Sequence, residues 1–526
     1  MPTETIQQLL RERASSDAVA VKYGDRQWTW REHLRDASAR AAALLALVNR
    51  DRPVHVGVLL GNTPEFLNQM AAAGLGGYVL CGLNTTRRGA ALAADVRRAD
   101  CQVVVTDAEH RPLLDGVDLP GVRVLDSSGE DWARMLASAG ELSPYREAEP
   151  LDPYMLIFTS GTSGDPKAVK VSHFMVLMSG ANLVQKFDLS VDDTCYLSMP
   201  LFHSNALVAG WGVAIATGAA MVPAKFSASK FLADIRGYGA TYMNYVGKPL
   251  AYILATPERG DDADNPLRVA FGNEASDRDI DEFGRRFGTL VWDGFGSSEN
   301  AVIITREPGT PKGSLGKGFP GVAIYDPDTV TECPVARFDA DGALANADEA
   351  VGELVNTTGT GFFTGYYNSE DATAERMRHG MYWSGDLAYR DSDGWIYLAG
   401  RTADWMRVDG ENLAAVPIER ILVRLPDINR VAVYAVPDEN VGDQVMAAVV
   451  LNDDATLTPA RLESFLAGQP DLSPKAWPRY VRIAADLPTT ATHNVLKREL
   501  AAAGPTAGDG EVWVREARGT RYQREG

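Results

Sequence analysis

Residues 31–60 read REHLRDASARAAALLALVNRDRPVHVGVLL, and two different periods meet inside this stretch. Leu34, Ala37, Ala41, Leu44 and Val48 recur every three or four positions, which places them on one face of an amphipathic helix. Residues 54–60 then form an apolar run, the mark of a strand buried on both faces. The alternation continues, with 64–74 suited to a helix, 77–83 to a strand, 89–98 to a helix and 101–106 to a strand. Strand and helix in turn predict parallel strands joined by crossover helices on both faces of a sheet.

Beyond this block, residues 141–153 are polar and Pro-containing, a surface linker into the apolar strand 154–158, and a second alternating block runs to about residue 304. From 318 to 397 short strands are broken by Gly, Asp and Pro, which predicts a β-rich subdomain. After residue 401 comes a smaller α/β segment, with helices at 417–425 and 459–466 and strands at 431–436 and 444–451. The expected fold class is α/β. A large N-terminal domain of two α/β subdomains plus a β-rich subdomain spans 1–402, and a small C-terminal α+β domain spans 403–526, with the boundary near Ala403.

Composition narrows the functions. The 526 residues carry 51 Lys+Arg against 70 Asp+Glu, a net charge of −19, with no basic cluster. Such a surface repels nucleic acid and anionic lipid. Cys81, Cys101, Cys195 and Cys333 form no C-x-x-C pair and have no adjacent His, so they read as buried small side chains in a reducing compartment. The longest apolar stretch, 206–222, is rich in Ala and Gly and shorter than the ~20 residues that span a bilayer. It suits a buried helix or strand pair. The first 14 residues lack the apolar core of a signal peptide. A cytoplasmic protein with no membrane anchor is expected.

Four clusters carry chemistry. Thr159-Ser160-Gly161-Thr162-Ser163-Gly164-Asp165-Pro166-Lys167 directly follows a strand. Glycines let backbone N–H groups converge, hydroxyls add donors and Lys167 adds charge, so the loop can wrap a polyphosphate. It lacks the Walker A order. In 293–299, a Gly-Ser turn ends in Ser298 and Glu299, a hydroxyl and a carboxylate suited to a phosphate and to Mg²⁺. In 382–387, Asp386 sits in a Gly turn and can accept hydrogen bonds from a ribose diol. Residues 400–404, with Arg401, lie at the domain boundary, followed by Asp409, Gly410, Glu411 and Asn412.

In this order and at these separations the clusters resemble the adenylate-forming superfamily of acyl-CoA synthetases, adenylation domains and luciferases, over essentially the whole chain. Residues 226–231, 410–412 and 519–522 add a narrower likeness to fatty-acyl-CoA synthetases of the fatty-acid-transport-protein type. The resemblance implies that Thr159 to Lys167 form the phosphate loop, that Glu299 ligates Mg²⁺ and that Ser298 contacts phosphate. It also implies that Asp386 and Arg401 hold the ribose, that Gly410 lies beside the CoA pantetheine tunnel and that His203 lies near the acyl carboxylate. Gly294 falls where relatives often carry a bulkier side chain beside the acyl group. The small domain is then mobile, swinging about Ala403 between an adenylating and a thioester-forming pose.

One position departs from the pattern. Family members carry P-x-T-x-x-G-K near the C-terminus, whereas this chain reads PTTATHN over 488–494, with Asn494 in the lysine position and His493 in that of the glycine. An ammonium there offsets the charge that builds as a carboxylate attacks the α-phosphate of ATP; asparagine brings no charge. Loss of one such group costs on the order of a hundred- to a thousand-fold in rate. Acyl-AMP is already activated, so CoA can displace AMP without that cation. The reading is therefore a ligase that converts preformed acyl-AMP and CoA to acyl-CoA and AMP, with a partner adenylating enzyme supplying the adenylate. In this the chain resembles the non-adenylating ligases of platensimycin- and platencin-type antibiotic pathways. Two alternatives stay open: a complete synthetase using ATP and Mg²⁺ in which Lys497, one helical turn on, substitutes; and a binding protein that holds an acyl ligand without turnover.

Overall fold

The computed structural model describes residues 4–159, 166–247, 249–340, 344–401, 405–408, 411–438, 442–469, 472, 474–489, 495–505, 510–516 and 519–524. The chain forms two compact units, one of residues 1–301 with 360–377 and the other of 302–359 with 378–526.

The first unit holds two sheets. In one, the order is Arg123–Asp126, Val103–Thr106, His55–Leu59, Val79–Gly82, Pro153–Thr159 and Lys167–Ser172, all parallel except the last. The helix foreseen at 31–50 is Trp30–Leu45, started by a capping box in which Thr29 and Glu32 exchange hydrogen bonds. Pro64–Gly76 opens with a proline in its first turn and ends at Gly77, whose φ of 67° suits a left-handed cap. A Cβ on Gly77 would lie 2.2 Å from the Arg146 carbonyl, so no larger residue fits.

The second sheet of this unit runs Leu290–Phe295, Val269–Asn273, Tyr242–Val246, Thr194–Leu197, Ala220–Pro223, Val19–Tyr23 and Arg26–Thr29, again parallel until the last pair. The apolar stretch 206–222 resolves into a π-helical turn Ala206–Trp211, a helix Gly212–Thr217 and the strand Ala220–Pro223. Most of it lies within the packed interior: Trp211, Val213 and Met221 are fully buried. Burial of each such side chain stabilises by about 1.5–3 kcal/mol. Among the described residues no helix is long and apolar enough to cross a membrane. All four cysteines are free and buried, and burial pushes the thiols of Cys81, Cys195 and Cys333 up.

The second unit opens with the expected β-rich part, an antiparallel sheet that includes Val322–Asp326, Gly352–Asn356, Met381–Arg390 and Ile396–Arg401. Here one expectation is corrected. Asp386 lies inside the strand Met381–Arg390, not in a turn, because Gly385 takes a φ of 77° and a register shift follows at Leu387. The ladder absorbs the irregularity as a bulge instead of reversing.

The C-terminal sheet is built on Gly442–Leu451, paired antiparallel with Ile428–Asp438 and parallel with Tyr480–Ile483. One face packs Ile418, Leu422, Leu462, Leu466 and Trp513, so the helices Ala415–Leu422 and Pro459–Ala467 lie there. The other packs Tyr434 and Met446 against Leu500 of the helix Lys497–Ala503.

Candidate active site

The strands Pro153–Thr159 and Lys167–Ser172 pair so that Thr159 faces Lys167, fixing both ends of the loop between them. The loop residues Ser160, Gly161, Thr162, Ser163 and Gly164 lie outside the described residues. Segment 360–377 runs along the second of these strands: Lys170 N donates to Gly365 O, Val169 bridges Tyr366, and Tyr367 N donates to Ala168 O. This places the Tyr366 ring 5.4 Å from the Lys167 ammonium and its hydroxyl 2.6 Å from Glu299 Oε1, to which it donates. Lys167 Nζ also lies 3.4 Å from Glu375 Oε2.

Glu299 is 7% exposed. Next to it, Ser298 Oγ lies 3.0 Å from Ser204 Oγ, which joins the turn after Leu290–Phe295 to the His203 loop. The structure thus links Lys167 through Tyr366 to Glu299, which the sequence separates by 132 positions (299 − 167), and joins Ser298 to the loop that carries His203. The His203 ring lies tilted against Phe202 with centroids 4.7 Å apart, and its buried Nε2 has no hydrogen-bond partner among the described residues. Burial holds its pKa down at about 4, so the imidazole is neutral near pH 7.

Three amides are hydrogen-bonded in series. Asn244 Nδ2 donates to Asn205 Oδ1 at 2.7 Å, Asn205 Nδ2 to Asn273 Oδ1 at 3.0 Å, and Asn273 Nδ2 to Gly294 O at 2.8 Å. Because a carbonyl terminates the chain, the orientation of all three amides is fixed. Tyr245 likewise donates to the buried Asp293 at 2.9 Å. Sequence reasoning missed Tyr366 and the three asparagines; each is recognisable only by a partner distant in the chain.

In the second unit, Asp386 and Arg401 are directly opposed across neighbouring strands. Asp386 is 9% exposed, with its backbone N–H donated to Ser384 Oγ at 3.0 Å. The Arg401 side chain, Ala403, Gly410 and Asn494 lie outside the described residues. Lys497 is described: its Nζ lies 2.8 Å from Glu419 Oε1, which also accepts from Val433 N at 2.7 Å. Pro488 O accepts from Leu496 N, and Thr489 bridges Val495.

Among the described residues no group of three His, Cys, Asp or Glu side chains can hold a metal ion. Mg²⁺ that bridges a polyphosphate needs only one or two protein carboxylates. Glu299, buried and linked through Tyr366 to Lys167, fits that lesser demand.

The model of the AMP-binding enzyme family matches residues 10–367, and that of the AMP-binding enzyme C-terminal domain matches 417–494. A medium/long-chain-fatty-acid–CoA ligase, FadD17 of Mycobacterium marinum, is 53% identical over 97% of this chain and 98% of its own. A steroid-22-oyl-CoA synthetase of Rhodococcus jostii is 46% identical over 94% of this chain and 90% of its own. ATP-bound MatB from Rhodopseudomonas palustris superposes with a TM-score of 0.83 at 23% identity, over 96% of this chain and 99% of its own. That likeness shows the fold: a two-domain α/β architecture with a large N-terminal and a small C-terminal domain.

Proposed function

Given that the chain belongs to the AMP-binding enzyme family, we propose that it performs the thioester-forming half of acyl-CoA ligation and little or none of the adenylating half. As an acyl-CoA ligase of the adenylate-forming superfamily it has CoA as acceptor. The observation that carries the finer reading is Asn494 in the lysine position of P-x-T-x-x-G-K. The ion pair of Lys497 with Glu419 supports it, since the lysine nearest in sequence is committed to a carboxylate.

In this reaction the CoA thiolate attacks the acyl carbon of acyl-AMP. A C–S bond forms, the C–O bond to phosphate breaks, AMP leaves as an anion and the thiol proton passes to solvent. Asp386 and Arg401 hold the ribose, Ser298 and the 159–167 loop the phosphate, and His203, neutral, faces the acyl carbonyl. Glu299 is the Mg²⁺ ligand wherever ATP is bound. Gly410 borders the pantetheine path, and the domain 403–526 turns about Ala403 relative to 1–402. A separate adenylating enzyme supplies acyl-AMP, as in the non-adenylating ligases of platensimycin- and platencin-type pathways that the sequence resembles. We place the reaction in the cytoplasm. The relatives' names support a large apolar acyl group of medium-chain, long-chain or polycyclic size.

A second reading, a complete ligase acting on free acid, is favoured by the names of relatives at 52–53% identity. Two assays separate them. Purified protein with acid, ATP and Mg²⁺ is tested for pyrophosphate exchange, and separately with synthetic acyl-AMP and CoA for thioester. Thioester without exchange is expected; exchange at the rate of ordinary synthetases overturns the split reaction.

A further inference from the structure

Asn62 lies in the loop between the strand His55–Leu59 and the helix Pro64–Gly76, remote in sequence from every motif above. Its side chain makes three hydrogen bonds to one stretch of backbone. Nδ2 donates to Leu197 O at 2.9 Å and to Met199 O at 2.7 Å, and Oδ1 accepts from Leu201 N at 3.1 Å. These groups belong to the end of the strand Thr194–Leu197 and to the loop that leads into His203. That loop closes on itself, with His203 N donating to Pro200 O at 3.0 Å and Leu207 N to His203 O at 3.1 Å.

One amide therefore presents to the loop the donor and acceptor edge that a neighbouring strand would present. Aspartate lacks both donors, serine is too short for three contacts, and an apolar residue offers none. On the neighbouring strand of the same sheet, Phe202 packs on bare backbone: a Cβ on Gly82 would lie 2.9 Å from Phe202 Cβ and 3.0 Å from its Cα. The loop thus ties the end of the Thr194–Leu197 strand to the first sheet at two points, and its last residue carries a buried, neutral imidazole whose Nε2 has no hydrogen-bond partner among the described residues.

We propose that Asn62 is a positioning residue for the reaction: it holds the His203 loop so that the imidazole meets the acyl carbonyl of the adenylate. The inference rests on the reading above that His203 faces the acyl group. A displacement of about 1 Å at such a contact costs up to 100-fold in rate.

The test uses full-length Asn62→Asp, His203→Ala and the double variant, with Asn62→Ser in reserve should the aspartate variant fail to fold. Hydrogen exchange of the peptide covering 198–204, without ligand, reports the clamp, and the single variant is expected to exchange faster than wild type. Affinity for a non-hydrolysable acyl-sulfamoyl-adenosine, measured by calorimetry, and kcat/KM with acyl-AMP and CoA report the relay. We expect a loss of about 10- to 100-fold in both for Asn62→Asp, an unchanged KM for CoA, and no further loss when it is added to His203→Ala. Multiplying losses in the double variant, wild-type exchange in Asn62→Asp, or no binding of the analogue by wild type would each overturn the proposal. Absence of thioester formation by wild type sinks the functional reading instead, because the binding cycle needs no turnover.

Discussion

The Tyr366 hydroxyl donates to Glu299 Oε1 at 2.6 Å, giving a buried carboxylate a partner on the same ring that faces the Lys167 ammonium. Leaving a buried acceptor without its donor costs about 1–3 kcal/mol. Tyr366→Phe is therefore expected to lower the melting midpoint by a few degrees in scanning calorimetry. An unchanged midpoint would mean that the pair contributes nothing to stability.

If thioester formation is the working reaction, its substrate contains no polyphosphate and leaves Glu299 with no metal to hold. Acyl-CoA production from acyl-AMP and CoA is expected to proceed in EDTA at the rate seen with Mg²⁺. A requirement for Mg²⁺ in that assay counts against the role given to Glu299.

Restoring charge at the departing position is the converse experiment. Asn494→Lys is expected to create or strengthen pyrophosphate exchange by about 100- to 1,000-fold, the usual worth of one preorganised electrostatic group. The readout is labelled pyrophosphate incorporated into ATP, and a variant as inert as wild type would assign the defect to other residues.

Lys497→Met separates a structural ammonium from a catalytic one. The pair with Glu419 is only 17% and 19% exposed at its two side chains, so its loss is expected to cost about 1 kcal/mol of C-terminal stability while thioester formation continues. Any residual exchange in wild type that disappears in this variant would instead make Lys497 the substitute cation.

Three imidazoles predict the acid limb of stability. Burial lowers the pKa of His33, His173 and His203 from 6.5 to about 4, so each is neutral when folded and protonated when unfolded between those values. The unfolded chain binds more protons there, and stability falls as pH drops from 6.5 toward 4, by up to about 1.4 kcal/mol per pH unit for each group. Above 6.5 these groups contribute no slope. Chemical denaturation across pH 4–8 should show this, with a shallower limb in His173→Gln.

The parallel sheets were legible because Val56, Val58, Val103 and Val105 announce buried strands, and Leu34, Ala37 and Ala41 announce the helix that precedes them. Asp386 was misplaced because Ser384 and Gly385 interrupt the two-residue period as a turn would, although the ladder continues past them. The stretch 206–222 stayed ambiguous because an all-apolar run has no phase; its π-turn depends on packing, such as Gly180, where a Cβ would lie 2.5 Å from Gly212 O. Within the site, loops and charges advertise themselves in the sequence. Tyr366 and Asn62 do not, since their partners lie 67 and 135 or more positions away.

The sheltered thiols have a practical consequence. With Cys81, Cys101, Cys195 and Cys333 all shielded from water, native protein should be nearly silent toward maleimide reagents at neutral pH. One cysteine engineered at an exposed position on each side of residue 403 would then be the sole handle for a fluorophore. Donor and acceptor dyes attached there would report interdomain distance during turnover without first stripping the native sulfhydryls from the chain.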